Sequence, residues 1–420
     1  MSATSPELPY PTRSGLRRPR STVRRLIWLL TPSSLPVRAL LISRLVVLGA
    51  GVAGALIAGR RTGWWMFDPS GLSARLGALG NILAAPAVRW DSIHYLAIAQ
   101  QGYRSAASTV FFPLYPLIVR ALGYVLGSYP AGGIAISVAA LGVALVLLHR
   151  LAALDLGVRA ADATVLLVAF APLSLFFSAV YTEALFLALS VGSVYAARRG
   201  RWRLACGLGA LAAATRVTGI LLVVPLALMH LRERRGVGRR LAWLAAVPAG
   251  LAVYLGYLGL RGYGFLAPFL QESGSEYQRQ MAGSLETIVA AVRAATLGLR
   301  AIATQPVYRP SIGGPFAGGF ESILLLGVLA IAVLALVAAF RRLPVAYAAY
   351  ALAALLVCTW NPVAGQPLES FDRYVLTIFP LWMAAGAWIS ERRLERVTVP
   401  LTCLLLAFWT FQFATWAWVA

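Results

Sequence analysis

The sequence predicts an all-α integral membrane protein, and three observations carry that prediction. Of its 420 residues, 60% are hydrophobic and only 12% are charged. Soluble domains carry about twice that charged fraction. Apolar stretches of about 17–25 residues, long enough to cross a bilayer as a helix, recur along the chain. The net charge of +22 comes from 37 basic residues, all of them Arg. On a soluble chain this charge would point to nucleic acid. On an apolar chain the Arg residues read as topology signals and contacts to anionic lipid, so no nucleic-acid partner is expected. The absence of Lys reads as GC-rich codon usage. Cys206, Cys358 and Cys403 sit in apolar runs without metal-ligand spacing and read as small core residues.

The elements follow in order. Residues 1–35, rich in Pro, Ser and Arg, read as a disordered basic cytoplasmic tail. The rest, 36–420, reads as one transmembrane unit. No small-residue cleavage pattern follows the first apolar run, so it is expected to remain as a span. That span is expected at about 39–59. A first outer loop, about 60–130, holds two amphipathic interface helices, at 90–102 and 111–127. Two Pro and Arg120 argue against a crossing at 111–127. Further spans are expected at about 131–149, 161–177, 181–197, 203–215, 217–231, 240–260, 321–340, 343–359, 373–390 and 397–418, eleven in all. The short runs 203–215 and 217–231 read as a hairpin of partial helices, tolerated in a membrane where they line a cavity. A second outer region, about 261–320, contains an amphipathic helix of about seventeen residues expected to lie on the membrane. Glu272, Glu276 and Arg279 read there as a solvated face.

Charge orients the bundle. With the tail in the cytoplasm, "RRGRWR", "RERRGVGRR", Arg341–Arg342 and "ERRLER" all fall on one side. The loops "WDSIHY", "SAVYTEA", "TRVTG" and "TWNPVAGQPLESFDRY" fall on the other. The polar chemistry therefore gathers at the extracytoplasmic surface of a multi-pass cell-membrane protein. A transporter would hold it near the bilayer midplane.

Within "RWDSIHYLAIAQQGY", a helix beginning near Asp91 puts His94 and Tyr95 on the face of Asp91. Asp91 is either the N-cap of that helix or a reactive carboxylate, and one role does not exclude the other. His94 is the one His of three among outer polar groups; with no second His nearby it reads as a hydrogen-bonding residue, not a metal ligand. Glu183 and Arg216 are isolated in apolar runs at the outer ends of adjacent hairpins. They form an ion pair or divide into an acid and a phosphate clamp. Arg373 in "ESFDRYVL" repeats the theme, with Asp372 as a partner and Tyr374 at the interface. No Gly-rich phosphate loop follows a strand, so an activated donor must bring its own energy, and a lipid phosphate is the carrier suited to this face.

"WDSIHYLAIAQQGY", "FFPLYPLIVR", "LSLFFSAVYTEALF", "GRWRLACGLGALAAATRVTGILL" and "DRYVL" occur here in an order that resembles the PIG-V family. That family includes the second mannosyltransferase of GPI-anchor assembly and many bacterial relatives. The resemblance covers roughly 85–230 and, more weakly, 371–376. It implies a multispanning glycosyltransferase bundle of the GT-C type. The implied donor is a polyprenyl-phosphate sugar, typically mannose, used on the outer face. It also implies Asp91 as the candidate catalytic residue, and the expected mechanism is inversion at the sugar carbon with Asp91 as general base. Trp90, His94, Tyr95, Tyr181, Glu183, Arg216, Arg373 and Tyr374 form the expected substrate-binding set. No metal site or certain cofactor is implied, although a divalent cation is compatible with the family. The acceptor is a lipid-linked or cell-envelope glycan, or a protein. "TRVTG" and "SAVYTEA" depart from the eukaryotic pattern, and the Arg usage looks bacterial, so a GPI precursor is not the expected acceptor. Two alternatives stay open: a flippase of a polyprenyl-linked sugar, and a transferase of another such sugar, for example arabinose.

Overall fold

A computed structural model describes residues 34–59, 64–73, 76–232, 239–274, 278–304 and 315–419. Most of the expected basic tail, and Glu276, lie outside these residues. The described chain is built of helices, with one isolated antiparallel bridge between Arg279 and Val363.

The first span, α1 (Leu35–Ala53), continues as a π-helical turn to Ala58. The short α2 (Gly77–Leu83) precedes the two predicted interface helices, α3 (Asp91–Gln101) and α4 (Leu114–Leu126). Next come α5 (Tyr129–Leu156), α6 (Val158–Ala169), α7 (Glu183–Arg198), α8 (Trp202–Ala213) and α9 (Val223–Arg232). The short α10 (Arg239–Leu244) leads into α11 (Ala246–Leu260), and α12 (Ala267–Glu272) opens the second polar region. It is followed by α13 (Ser284–Thr304), α14 (Pro315–Arg342), α15 (Val345–Cys358), α16 (Phe371–Val375), α17 (Phe379–Glu391) and α18 (Glu395–Ala414).

Six of the described helical runs are long and apolar enough to cross a membrane, and four shorter apolar helices accompany them. The chain is thus a multi-pass membrane protein. The long runs include the spans expected near 39–59, 131–149, 240–260, 321–340 and 397–418. The other expected spans are shorter or broken, for physical reasons. The run expected at 161–177 stops at Ala169, because Pro172 cannot donate to a continuing helix; a 3₁₀ turn, Ser174–Phe177, follows. The carbonyls freed by this break are met by Arg44 of α1. Its guanidinium donates to Ala169 O (3.2 Å), Ser174 O (2.8 Å) and Ser178 Oγ (2.6 Å). An Arg in an apolar span is tolerated when it satisfies backbone in this way. The run expected at 373–390 divides into α16 and α17, and the run at 217–231 opens with a 3₁₀ turn, Val217–Leu222.

The centre of the bundle is α7, buried at nearly every position from Glu183 to Ala197. A helix apolar all round belongs in a core. It packs between α5 and α8, and α6 packs against α5 and α17. The helix expected to lie alone on the membrane, α13, instead packs along α14. Its buried stripe, Thr287, Ala291, Ala295 and Gly298, is small, and a Cβ on Gly298 would meet the Gly319 backbone at 2.5 Å. α13 is also long and apolar enough to count among the six.

Candidate active site

The site forms where the start of α3, the start of α7, the turn after α8 and the short α16 meet. Each element is set locally. Trp90 precedes α3 with φ 55°, a conformation that costs a non-glycine residue on the order of 1 kcal/mol. It is held by its neighbours. The buried Arg89 donates through Nε to Ala414 O (3.0 Å) and through a terminal nitrogen to Val88 O (2.8 Å) and Ala85 O. Trp90 Nε1 donates to Ala417 O (3.2 Å), and its ring meets Phe67, Trp416 and Trp418. Trp90 thus ties α3 to the C-terminal segment.

Asp91 is the first residue of α3, one position past the N-cap, which is Trp90. The carboxylate reaches across the bundle instead: Arg373 donates to Asp91 Oδ2 at 2.7 Å. Of the two roles open to Asp91, the cap is therefore not the one its side chain fills. Its backbone N–H donates to the Tyr181 hydroxyl (3.2 Å), which donates to Arg89 O (3.3 Å). Glu183, the first residue of α7, accepts from Arg216 at 2.9 Å and lies 3.6 Å from Arg373 Nε. The expected Glu183–Arg216 pair is present. The expected Asp372–Arg373 side-chain pair is not: Asp372 accepts the backbone N–H of Arg373 (2.8 Å), while the guanidinium turns to Asp91 and Glu183.

Two carboxylates and two guanidiniums thus form one buried, balanced network, with unequal solvent access. The Asp91 side chain is 27% exposed and that of Glu183 only 2%. Glu183 Oε2 is buried and makes no hydrogen bond. Aromatic faces support the cations: Arg373 lies over Phe176, Tyr181 and Tyr374, and Arg216 over Phe186 and Tyr374.

Along α3, Asp91 and His94 are half-buried while Ser92, Ile93 and Tyr95 are buried, so His94 shares the open stripe of Asp91. His94 stacks on Phe111 (4.7 Å between centroids). Tyr95 is turned inward, its hydroxyl 3.5 Å from Thr182 Oγ1 and its ring against Phe111 and Tyr115. "FFPLYP" thus supplies a wall behind α3. The structure therefore joins Asp91, Tyr181, Glu183, Arg216, Arg373 and Tyr374, and turns Trp90 and Tyr95 into packing. Among the described residues no group of three or more His, Cys, Asp or Glu side chains could hold a metal ion.

Asp372 lies in the connection between α15 and α17, outside the spanning helices. Burial pushes its carboxyl up to about 7, while the Arg373 backbone N–H and guanidinium oppose the shift.

Residues 74–233, which carry Asp91, Glu183 and Arg216, match the family model described as Mannosyltransferase (PIG-V). This segment belongs to the PIG-V family. The chain is 34% identical over 167 residues to GPI alpha-1,6-mannosyltransferase 2 of Mus musculus, covering 36% of this chain and 32% of the mouse protein. It is 33% identical over 172 residues to the protein of the same name from Rattus norvegicus, covering 37% of this chain and 35% of the rat protein. The similarity thus spans about a third of the length of these relatives. Arg373 and Tyr374 lie beyond the PIG-V segment, yet close the same site. Arg279, also beyond it, was missed as a site residue: it donates to the Tyr374 hydroxyl (3.0 Å) and to Asn361 O (3.0 Å). Nothing in the local pattern of "SEYQRQ" signals that contact.

Proposed function

We propose that this protein transfers mannose from polyprenyl-phosphate mannose to a hydroxyl of a glycan, glycolipid or protein acceptor at the extracytoplasmic face, with inversion. The observation that carries this reading is the half-open Asp91 carboxylate, held by one oxygen on Arg373 beside a charge-balanced buried network, inside the PIG-V segment. The acceptor oxygen forms a bond to the anomeric carbon. The bond from that carbon to the phosphate oxygen breaks, and its electron pair leaves with the lipid phosphate. The hydroxyl proton passes to Asp91, the less buried carboxylate. A base positioned in this way contributes about 10²–10⁴-fold. Glu183 Oε2 has unused acceptor capacity for a sugar hydroxyl, and His94 lines the open stripe beside Asp91. Arg216 and Arg373 orient the two carboxylates.

Charge supports the side assignment. α7 runs from Glu183 at the site to Arg198 at the other end, where Arg198 pairs with Asp155. α14 ends at Arg341 and Arg342, and Arg342 pairs with Glu391 at the end of α17. The Arg-rich ends thus gather away from the site, as in a bundle whose basic face is cytoplasmic.

The test supplies purified protein with radiolabelled polyprenyl-phosphate mannose and a membrane-lipid and glycan extract. Label transferred to a product of changed mobility is expected. Transfer from polyprenyl-phosphate arabinose and not from the mannose donor would replace the sugar. Donor movement across proteoliposomes without transfer would replace the reaction by flipping.

A further inference from the structure

We infer that Arg279, contributed by the outer region beyond the PIG-V segment, binds the phosphate of the lipid-linked donor. This rests on the transferase reading above and deepens it.

The first support is charge. Asp91 and Glu183 carry two negative charges, matched by Arg373 and Arg216 at 2.7 and 2.9 Å. The charges of both guanidiniums are therefore paired before a substrate arrives, while Arg373 Nε makes no hydrogen bond among the described residues. Three guanidiniums, however, surround the Tyr374 ring: Arg216 at 5.1 Å, Arg373 at 5.4 Å and Arg279 at 5.8 Å from its centroid. Among the described residues no carboxylate lies within salt-bridge distance of Arg279, whose side-chain bonds go to a phenol and a carbonyl. Glu272 and Glu369 act on it only from beyond salt-bridge distance, so among the described residues it is the one of the three guanidiniums without a directly paired carboxylate. Of the five N–H donors of a guanidinium, those two bonds use two.

The second support is rigidity. The segment carrying Arg279 is sewn to the last outer loop. Arg279 N–H donates to Glu272 O (3.0 Å), Gln280 N–H to Pro362 O (2.8 Å) and Gly283 N–H to Trp360 O (3.0 Å). Asn361 Nδ2 donates to Glu272 Oε2 (3.2 Å). A cation fixed in place loses little freedom on meeting an anion.

The third support is the chemistry. The donor phosphate is a diester with one negative charge. When the bond to the anomeric carbon breaks, the leaving polyprenyl phosphate is a monoester whose charge is larger. A cation not already neutralised gains most as that charge develops.

The experiment compares wild type, Arg279→Met and Arg279→Lys in detergent. Each is tested for binding of tritiated polyprenyl monophosphate and of tritiated polyprenol of equal chain length, and for turnover with polyprenyl-phosphate mannose. Wild type is expected to prefer the phosphate by about ten- to hundredfold. Arg279→Met should lose that preference and keep its affinity for polyprenol, and Arg279→Lys should keep part of it. A preference undiminished in Arg279→Met, or absent from wild type, overturns the assignment. So does an equal loss of both ligands in both variants, which marks a structural role. Turnover separates the two claims. A phosphate preference lost in Arg279→Met, without mannose transfer by wild type, leaves Arg279 standing and removes the transferase reading. Normal transfer with an undiminished preference does the reverse.

Discussion

Glu183→Gln tests whether the buried charge network holds the bundle together. The substitution keeps the volume and removes one negative charge from a side chain only 2% exposed. Arg216, 2.9 Å away, and Arg373, 3.6 Å away, then share a single carboxylate, Asp91. At an effective dielectric of about 20, the two lost attractions are about 6 and 5 kcal/mol. Desolvation already offsets part of that, and breaking a buried pair from one side costs about 3–5 kcal/mol net. For a chain of 420 residues the apparent melting midpoint in detergent should fall by about 3–6 °C. Asp91→Asn removes the same charge from a more open position and leaves Arg373 beside Glu183, so its midpoint should move much less. A double variant, Glu183→Met with Arg216→Met, removes both charges and should recover part of the Glu183→Gln loss. The reasoning is refuted if Glu183→Gln melts with wild type, or if Asp91→Asn is the more destabilised of the two.

Other outcomes follow from the same geometry. Asp91→Asn should lower turnover by at least about a hundredfold in the radiolabelled mannose assay; activity within threefold of wild type, a change of about 0.7 kcal/mol, would remove Asp91 from the base role. The Asp372 carboxyl, pushed by burial from 3.8 up to about 7, keeps its proton in the folded protein where the unfolded chain has released it. The folded state then binds more protons between about pH 4 and pH 7, so this group makes stability fall as pH rises through that window and level off above it. Melting curves across the window should be flatter for Asp372→Asn than for wild type. Gly219→Ala should disturb both stability and activity, because its Cβ would meet the Ala212 carbonyl carbon at 2.3 Å in the turn that carries Arg216. Overpacking of that kind costs about 1–3 kcal/mol, readable as a lower midpoint together with lower turnover.

Much of the fold was legible because a bilayer demands long apolar helices, and hydropathy shows those directly. The interface helix at 90–102 was legible from Asp91 and its apolar spacing, and the structure places α3 at Asp91–Gln101. The count of spans was less legible. α7 has only 16 residues, and it is hidden inside the bundle, where no lipid-facing length is needed. Hydropathy cannot separate a short core helix from a spanning one. The partner of Glu183 was readable, since isolated opposite charges at the ends of neighbouring hairpins have few other places to go. The partner of Arg373 was not. Sequence proximity favours Asp372, whereas the contact made is with Asp91, 282 positions away.

The residues that escaped notice did so for two physical reasons. Arg44 and Arg89 are charges used to satisfy backbone carbonyls at a broken helix and a strained turn, and neither need is visible until the break is placed in space. Arg279 escaped because its polar surroundings disguised it. In "ESGSEYQRQ" a charge looks solvated, while Glu183 stands out against apolar neighbours. Isolation in an apolar run therefore marks the groups already matched inside the bundle. A group left to match an incoming anion is better sought in the polar loops that close over the site. That is why the segment beyond the PIG-V match, with no readable motif of its own, supplies the cation that the balanced core lacks.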